Sequence, residues 1–193
     1  SYEIHREHLE LIINPFYNSI NNFIFNNPTS NYIDGFQVFE YTQLDRATIA
    51  GGSLGFHYHL HYLENLHLES NYSHLYAFDS NSNQLPRIPQ NRVNTFLKYE
   101  LSGKSKVKLK NVVLNHKYFF DQERIGKNET ATAAYQLINI ACNIEIDGKH
   151  PIEFGFGVKN LLNETYIDHL SRLKNLGIQN QGRNIYGTLK INI

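Results

Sequence analysis

Five side chains of the kind that bind metal ions lie within a short stretch of the sequence: His57, His59, His61, His67 and Glu69. In a β-strand, residues two positions apart lie on the same face, so strand alternation places all five on one face. A short turn centred near Leu63 would set His59 opposite His67 and His57 opposite Glu69. Directly opposed Cβ atoms lie about 5 Å apart, and zinc binds imidazole nitrogen or carboxylate oxygen at about 2.0–2.2 Å. We therefore predict a metal site formed by His57, His59, His67 and Glu69.

These residues must be positioned by β-strands. Apolar and polar residues alternate along almost the whole chain, which is the pattern of a β-strand. Nine strands are predicted, at residues 2–13, 20–25, 43–61, 66–78, 92–101, 104–120, 130–147 and 151–166 and in the terminal segment that ends at Ile193. Residues 14–18 are predicted as a short turn and residues 26–42 as a long loop, because Asn, Pro, Ser and Gly favour turns. Gly51-Gly52 is a natural place for a bulge. The upper half of the sixth strand does not alternate cleanly.

Each strand has an apolar and a polar face. In the terminal strand, the apolar face carries Ile185, Gly187, Leu189, Ile191 and Ile193, and the other face carries Tyr186, Thr188, Lys190 and Asn192. Other strands place Lys106, Lys108, Lys110, Glu145 and Lys159 on their polar faces. Together with long strands and connections of alternating length, this pattern indicates an all-β, antiparallel transmembrane β-barrel. The alternative is a small soluble β-barrel or sandwich that binds a ligand, which would need an apolar interior.

Composition excludes several other classes of protein. The net charge of zero gives no electrostatic case for nucleic acid binding. The single Cys142 excludes a disulfide within the chain, and no apolar run reaches the ~18 residues of a membrane helix. No catalytic constellation or nucleophile elbow is present, so no enzyme activity is predicted. The absence of Met predicts that the chain is a processed product or a fragment.

Residues Val158 to Tyr166 read Val-Lys-Asn-Leu-Leu-Asn-Glu-Thr-Tyr, and Gln181-Gly182-Arg183-Asn184 precedes the last strand. This order resembles the closing signature of TonB-dependent outer-membrane receptors, which is Val-x-Asn-Leu-x-Asn-x-x-Tyr followed by Pro-Gly-Arg. Further matches are Tyr2-Glu3, residues 14–20, residues 41–47 with Gly51-Gly52, and residues 85–89. The sequence departs from the family at Ser53, Gln181 and Ile193, where a Glu, a Pro and a terminal aromatic residue are usual.

The resemblance implies that residues 1–193 are the C-terminal portion of a receptor barrel, about the last nine of about 22 strands. The plug domain and the N-terminal barrel strands would then be absent from the chain. It also implies surrounding outer-membrane lipid, a periplasmic C-terminus, short periplasmic turns and long extracellular loops. The implied activity is active transport of a scarce nutrient, driven by the TonB complex through the plug domain. The nutrient would be an iron–siderophore, haem or a metal, and no other cofactor is expected.

With this orientation, the histidines divide between the two sides of the membrane. His5, His8, His116 and His169 are expected toward the outside, where they are candidate ligands for an incoming metal or haem; ordinary loop polarity is the alternative. The cluster at His57, His59 and His67 is expected toward the periplasm, where it forms either the metal site or a polar wall against the plug domain. Lys106, Lys108 and Lys110 would either attract an anionic chelate or form salt bridges with neighbouring strands or the plug.

Overall fold

The computed structural model describes residues 1–60, 63, 65–101 and 105–191, so His61, Asn192 and Ile193 lie outside the described residues. One antiparallel sheet contains nine strands, each paired with its neighbours in the sequence. The strands are β1 (Tyr2–Arg6), β2 (Leu9–Ile33), β3 (Phe36–His59), β4 (Leu66–Asp79), β5 (Arg92–Glu100), β6 (Val107–Phe119), β7 (Tyr135–Ile146), β8 (Ile152–Lys159) and β9 (Asn184–Ile191). A turn of 3₁₀ helix, Lys174–Leu176, lies between β8 and β9. The sheet is open, since β1 and β9 do not pair with each other.

The two faces of the sheet differ in chemistry from β3 to β9. Large hydrophobic side chains are more than a third exposed along one side, here called the apolar face: Leu54, Tyr76, Leu97, Tyr99, Val107, Leu109, Leu114, Ile140, Phe156, Ile185, Leu189 and Ile191. The opposite side, here called the polar face, includes His57, Glu69, Asn115, Glu145 and Lys159. An exposed apolar surface on this scale marks contact with lipid or with another partner. The predicted alternation is therefore confirmed.

The sheet has little buried apolar core. Among the described residues, the buried hydrophobic side chains are Ala47, Ala77, Leu85 and Tyr135. A soluble sandwich or small barrel would instead bury an apolar interior between its layers, so the structure does not favour that alternative.

Connections differ at the two ends of the sheet. One end of the sheet is here called the short-turn end. The connections between successive strands at this end are residues 7–8, 60–65, 101–106 and 147–151. At the other, the long-loop end, the connections are residues 80–91, 120–134 and 160–183, and β2 and β3 extend further as a long hairpin. The predicted alternation of short and long connections therefore holds from β3 to β9. No helix in the described part of the chain is long and apolar enough to cross a membrane.

The first turn of the chain is not where it was predicted. The predicted strand 2–13 is two strands separated at residues 7–8, and β2 continues through the predicted turn at residues 14–18. Pro15 fits within β2 because β1 pairs with it only as far as Ile13, so beyond Ile13 this side of β2 is an edge, where the missing N–H of proline is tolerated. One unpredicted turn, at residues 7–8, replaces one predicted turn, at residues 14–18, so the number of strands is nine as predicted.

The predicted loop at residues 26–42 is also wrong. β2 runs to Ile33 and β3 begins at Phe36, so the two strands form one hairpin with a two-residue turn. Asp34 and Gly35 have φ angles of 50° and 83°, and positive φ at both positions is what favours Asp-Gly in tight hairpins. Polar residues occupy much of the first arm, from Asn26 to Asn31, so no apolar alternation identified it as a strand.

Gly51-Gly52 is not a bulge. The pairing of β2 with β3 runs from Leu9 and Tyr58 to Pro28 and Phe39 without a shift. A Cβ atom on Gly51 would lie 2.2 Å from the backbone oxygen of His74, so the close approach of β3 and β4 explains the glycine. A register shift does occur in β6, between Leu109 and Asn111, and it explains why that strand loses its alternation.

The signature that follows β8 forms a turn and does not extend the strand as predicted. Asn160 and Asn163 have φ angles of 50° and 56°, in the left-handed region that Asn adopts more often than most residues. Within this turn, Asn160 Nδ2 donates to the backbone oxygen of Glu164 at 2.8 Å, and Asn160 Oδ1 accepts from the N–H of Glu164 at 2.7 Å. Asn163 Oδ1 accepts from the N–H of Arg183 at 2.9 Å. The motif therefore ties the end of β8 to the start of β9.

Candidate metal centre

β3 and β4 bring the predicted metal-binding residues together at the short-turn end. His57 pairs with Glu69, and His59 pairs with His67. Both pairs lie on the polar face, because residues two apart in a strand share a face. The predicted register is therefore confirmed.

His57, His59 and His67 form a compact cluster, here called the histidine triad. The ring centroids lie 4.4 Å apart for His57 and His59, 4.8 Å for His59 and His67, and 6.2 Å for His57 and His67. One ring nitrogen of each residue lies within 4.8 Å of the other two. Three nitrogens bound to one zinc ion would stand about 3.4 Å apart, so small side-chain rotations would bring them into place.

Nε2 of His57 is buried and, within the described part of the chain, has no hydrogen-bond partner. Buried polar atoms are satisfied in the great majority of cases, so an exception needs an explanation. A metal ion bound at this nitrogen would provide one.

Two carboxylates border His57. Glu69 Oε1 lies 3.8 Å from Nε2 of His57, and Glu10 Oε2 lies 3.7 Å from its Nδ1. Glu69 therefore contacts only His57 of the triad, and its carboxylate does not belong to the group of ligand atoms that lie within 4.8 Å of one another. Carboxylates beside an imidazole orient the ring and raise its basicity as a metal ligand.

Glu10 is a site residue that the sequence interpretation missed. It pairs with His57 across β2 and β3 and with His5 across β1 and β2. The sequence carried no local signal for it, because Glu7-His8 is not a typical turn sequence and only the turn there starts β2 at Leu9, which places Glu10 beside β3.

His5 and His8 lie at the short-turn end, so the prediction that they lie at the opposite end of the sheet from the triad is wrong. His5 Nδ1 lies 3.1 Å from Glu10 Oε1, and the N–H of His59 donates to the backbone oxygen of His8 at 3.0 Å. The prediction failed because it extended the first strand to Ile13, which put the start of that strand at the far end of the sheet. The turn at residues 7–8 instead brings both histidines close to the triad.

His116 and His169 lie toward the long-loop end, in different surroundings. Nε2 of His116 lies 3.0 Å from Oε1 of Gln136, on β7. His169 is buried in the connection 160–183, and its Nδ1 lies 2.8 Å from Oγ1 of Thr132. The four histidines predicted as outer ligands therefore do not form one group.

The lysines of β6 pair with neighbouring residues at the short-turn end. Lys108 forms a salt bridge with Asp147, and Lys110 Nζ lies 2.5 Å from Glu145 and 3.7 Å from Glu153. The hydrogen bond from Lys108 lowers the pKa of the Asp147 carboxyl. For Lys108 and Lys110, the structure supports salt bridges to neighbouring residues; among the described residues, Lys106 has no such pair.

Comparison with known proteins now identifies the family. A family model described as TonB dependent receptor-like, beta-barrel, matches residues 7–161. The chain belongs to this family. Its receptors are outer-membrane transport proteins, and the predicted fold class is confirmed. No curated protein sequence matches the chain.

Solved structures of TonB-dependent receptors share the fold of this receptor chain. The copper transporter OprC aligns with a TM-score of 0.77 and 19% identity, over 97% of this chain and 29% of its own. The FrpB iron transporter of Neisseria meningitidis (F3-3 variant) aligns with a TM-score of 0.71 and 15% identity, over 98% of this chain and 29% of its own. Fiu, a ferric-catecholate import receptor of E. coli K12, aligns with a TM-score of 0.56 and 14% identity, over 95% of this chain and 24% of its own. This chain thus spans less than a third of the length of each receptor.

Proposed function

We propose that residues 1–193 are the C-terminal part of a barrel that carries a scarce nutrient across the outer membrane, as an iron chelate, haem or a metal ion. Membership of the receptor family supports this function, and the partial cover of each solved receptor supports a part of a barrel. The closing signature at residues 158–166 and Gly182-Arg183 supports its C-terminal placement. The exposed apolar face would contact lipid. The polar face would line the interior and contact the plug domain.

In the proposed orientation, the C-terminus and the short-turn end lie in the periplasm. The long connections and the tip of the β2–β3 hairpin then face the outside, where the nutrient arrives. The N-terminal barrel strands would pair with β1 and β9, since both present an unpaired edge in the nine-stranded sheet. The TonB complex would act on the plug domain, whose movement opens the path for the nutrient.

Within this transporter, the histidine triad binds a transition metal ion as the ion leaves for the periplasm. The observation that carries this proposal is the mutual distance of the three ring nitrogens, at most 4.8 Å. Imidazole ligands suit zinc, copper, iron and nickel. Two of the solved relatives are described as transporters of copper and iron, which supports a metal as cargo without selecting one.

The carboxylates around His57 favour a second candidate role, in which the triad is a polar wall against the plug domain. His57 already lies within 4 Å of Glu10 and of Glu69, and such pairs can satisfy imidazoles without a metal. This role predicts contact with the plug and no specific binding of metal ions.

Metal titration of the full-length receptor in detergent distinguishes the two roles. Zn²⁺ and Cu²⁺ are titrated calorimetrically into the wild type, the double variant His59→Ala/His67→Ala and the control His150→Ala, which removes a histidine of the same end outside the triad. We expect one bound ion to be lost in the double variant and kept in the control. Equal binding in all three proteins would support the polar wall instead.

A further inference from the structure

The apolar face of the sheet changes in chemistry toward the long-loop end. In its middle, Leu97 of β5 pairs with Leu114 of β6, and both side chains are more than a third exposed. Further along β6 the same face carries Tyr118, which pairs with Val93 of β5. Tyr72 of β4 pairs with Val93 from the other side. Aliphatic side chains therefore give way to tyrosines at this level of the sheet.

The position of these tyrosines matches the limit of a lipid-facing band. Val107, the first residue of β6, is exposed on the same face, and it lies about 36 Å from Tyr118 along the strand at ~3.3 Å per residue. With the ~40° tilt of strands in membrane barrels, this distance becomes about 27 Å along the membrane normal. The apolar band of such barrels is about 25 Å high and is bordered by aromatic residues. Tyr72 and Tyr118 therefore mark the level at which hydrocarbon gives way to lipid headgroups.

Beyond this level, one cation lies against the apolar face. The guanidinium carbon of Arg124 lies 4.1 Å from the centroid of the Tyr76 ring, and its Nη2 lies 3.5 Å from Oδ1 of Asn91. The Tyr76 side chain is 40% exposed on the apolar face, and its ring lies 4.1 Å from the ring of His74. A cation–π contact of this kind holds the guanidinium in place. Arg124 belongs to the connection 120–134, yet its charge is presented on the lipid side of the sheet.

Arg124 has no counter-ion in the part of the chain that the structure describes. The contacts of its guanidinium there are one aromatic ring and one amide oxygen, and no described carboxylate pairs with it. A guanidinium carries five N–H donors, so most of them have no acceptor among the described residues. Their planar arrangement matches the oxygens of a phosphate group. The side chain is therefore suited to bind an anion from outside the chain.

Aromatic rings connect the aliphatic band to this cation. Tyr72 Oη lies 3.3 Å from Nδ1 of His74, and the Phe120 ring packs edge-on against Tyr72 with centroids 6.1 Å apart. Phe120 also packs edge-on against Tyr118, at 4.9 Å. Such side chains suit an interface, because a tyrosine has an apolar body and a polar tip. One ligand can thus contact the hydrocarbon level and the guanidinium of Arg124 together.

We infer that Arg124 binds the phosphate group of an anionic membrane lipid, whose acyl chains lie along the apolar face from Tyr72 and Tyr118 toward the short-turn end. The Tyr76 ring holds the guanidinium at the level of the headgroup. The bound lipid would fix the connection 120–134 at the membrane surface. A soluble phosphate has no acyl chain to contact the aliphatic band, so the occupant is a lipid.

This inference rests on the proposed contact of the apolar face with lipid. It uses neither the histidine triad, which lies on the polar face, nor the transported nutrient. The receptor could therefore transport its nutrient through the interior whether or not this lipid is bound.

Binding of phosphatidic acid to the full-length receptor in a neutral detergent tests the inference. Native mass spectrometry gives the dissociation constant of the first bound lipid for the wild type, Arg124→Gln and the control Lys127→Gln, which removes an exposed cation of the same connection. Diacylglycerol with the same acyl chains and glycerol 3-phosphate are the reference probes, since the first lacks the phosphate and the second lacks the chains.

We expect the wild type to bind phosphatidic acid more tightly than either reference probe. Arg124→Gln should raise the dissociation constant of phosphatidic acid about tenfold, because it loses charge-assisted hydrogen bonds to phosphate. The control should leave that constant unchanged. Circular dichroism of each variant shows whether the barrel is folded.

Equal affinity of the wild type and Arg124→Gln for phosphatidic acid would overturn the inference. Equal binding of phosphatidic acid and diacylglycerol by the wild type would overturn it too, and so would tighter binding of glycerol 3-phosphate, which indicates a site for a soluble phosphate. Insertion into phosphatidylcholine vesicles tests the membrane placement separately, because it needs only the apolar face. A receptor that inserts but shows no preference for phosphatidic acid contradicts this inference alone, whereas a receptor that does not insert contradicts the proposed function as well.

Discussion

His59 and His67 face each other across the β3–β4 pair, with ring centroids 4.8 Å apart and the rings nearly perpendicular. His57 adds a third ring 4.4 Å from His59. Histidine binds metal ions through a neutral ring nitrogen, so this arrangement offers three nitrogen ligands to one ion.

Removal of the Glu10 carboxylate is expected to weaken metal binding without abolishing it. Glu10 Oε2 lies 3.7 Å from His57 Nδ1, where it would orient the ring with Nε2 toward the ion. Loss of such a partner typically lowers metal affinity by about 10–100-fold. We predict a decrease of about tenfold in Zn²⁺ affinity for Glu10→Gln in the full-length receptor, measured by competition with a chromophoric chelator. The matched control Glu3→Gln removes a carboxylate from β1 and should leave the affinity unchanged.

A methyl group at Gly51 is expected to destabilise the barrel. The added Cβ would lie 2.2 Å from the backbone oxygen of His74, and a backbone atom cannot rotate away. Overpacking of this kind costs about 1–3 kcal/mol. Urea unfolding of the full-length Gly51→Ala receptor should show that loss. Gly187→Ala is the control, because its Cβ would have no neighbour closer than 3.8 Å. Equal stability of the two variants would contradict the close approach of β3 and β4.

The turn after β8 should depend on the side chain of Asn160. Asn160→Ala removes its two hydrogen bonds to the backbone of Glu164. It also places an alanine at a left-handed φ of 50°, which is a strained conformation for that residue. At about 1 kcal/mol for each hydrogen bond, we expect a loss of about 2–3 kcal/mol in the free energy of unfolding. Asn160→Gly keeps the backbone conformation and loses only the hydrogen bonds, so it should lie between Asn160→Ala and the wild type. A glycine variant as stable as the wild type would show that the hydrogen bonds contribute nothing.

The connection 160–183 should become less stable in acid. Burial lowers the pKa of His169 in the folded protein, whereas an unfolded loop protonates near the ordinary value of about 6.5. Below that pH the unfolded state binds more protons than the folded state, so stability falls as pH falls. Hydrogen exchange of this connection in the full-length receptor should accelerate between about pH 7.5 and about pH 5 beyond the intrinsic pH effect. His169→Gln should remove this additional acceleration of hydrogen exchange. If the acceleration persists in that variant, another group causes it.

Local alternation in the sequence predicted part of the sheet correctly. β4 and β5 lie within one residue of their predicted bounds, β6 and β7 lie inside theirs, and the pairing of His59 with His67 followed from parity and a short turn. The N-terminal hairpins were misplaced because residues 7–8 carry no Gly, Asn or Pro as a turn signal, and because Pro15 marks an edge and not a turn. The site was incomplete for the same reason, since Glu10 reaches His57 only when β2 starts at Leu9.

By itself, the sequence determined the class of this protein, its two-faced strands and the histidine triad. Each of these follows from side chains two residues apart, a pattern that is local and can be read along one strand. The tertiary structure alone decided which carboxylates border the triad and which connections pack against the β2–β3 hairpin. Arg87, Glu129 and Arg172 lie far apart in the chain, and no local pattern relates them. Only the packing of the long connections against the β2–β3 hairpin places them around one cavity.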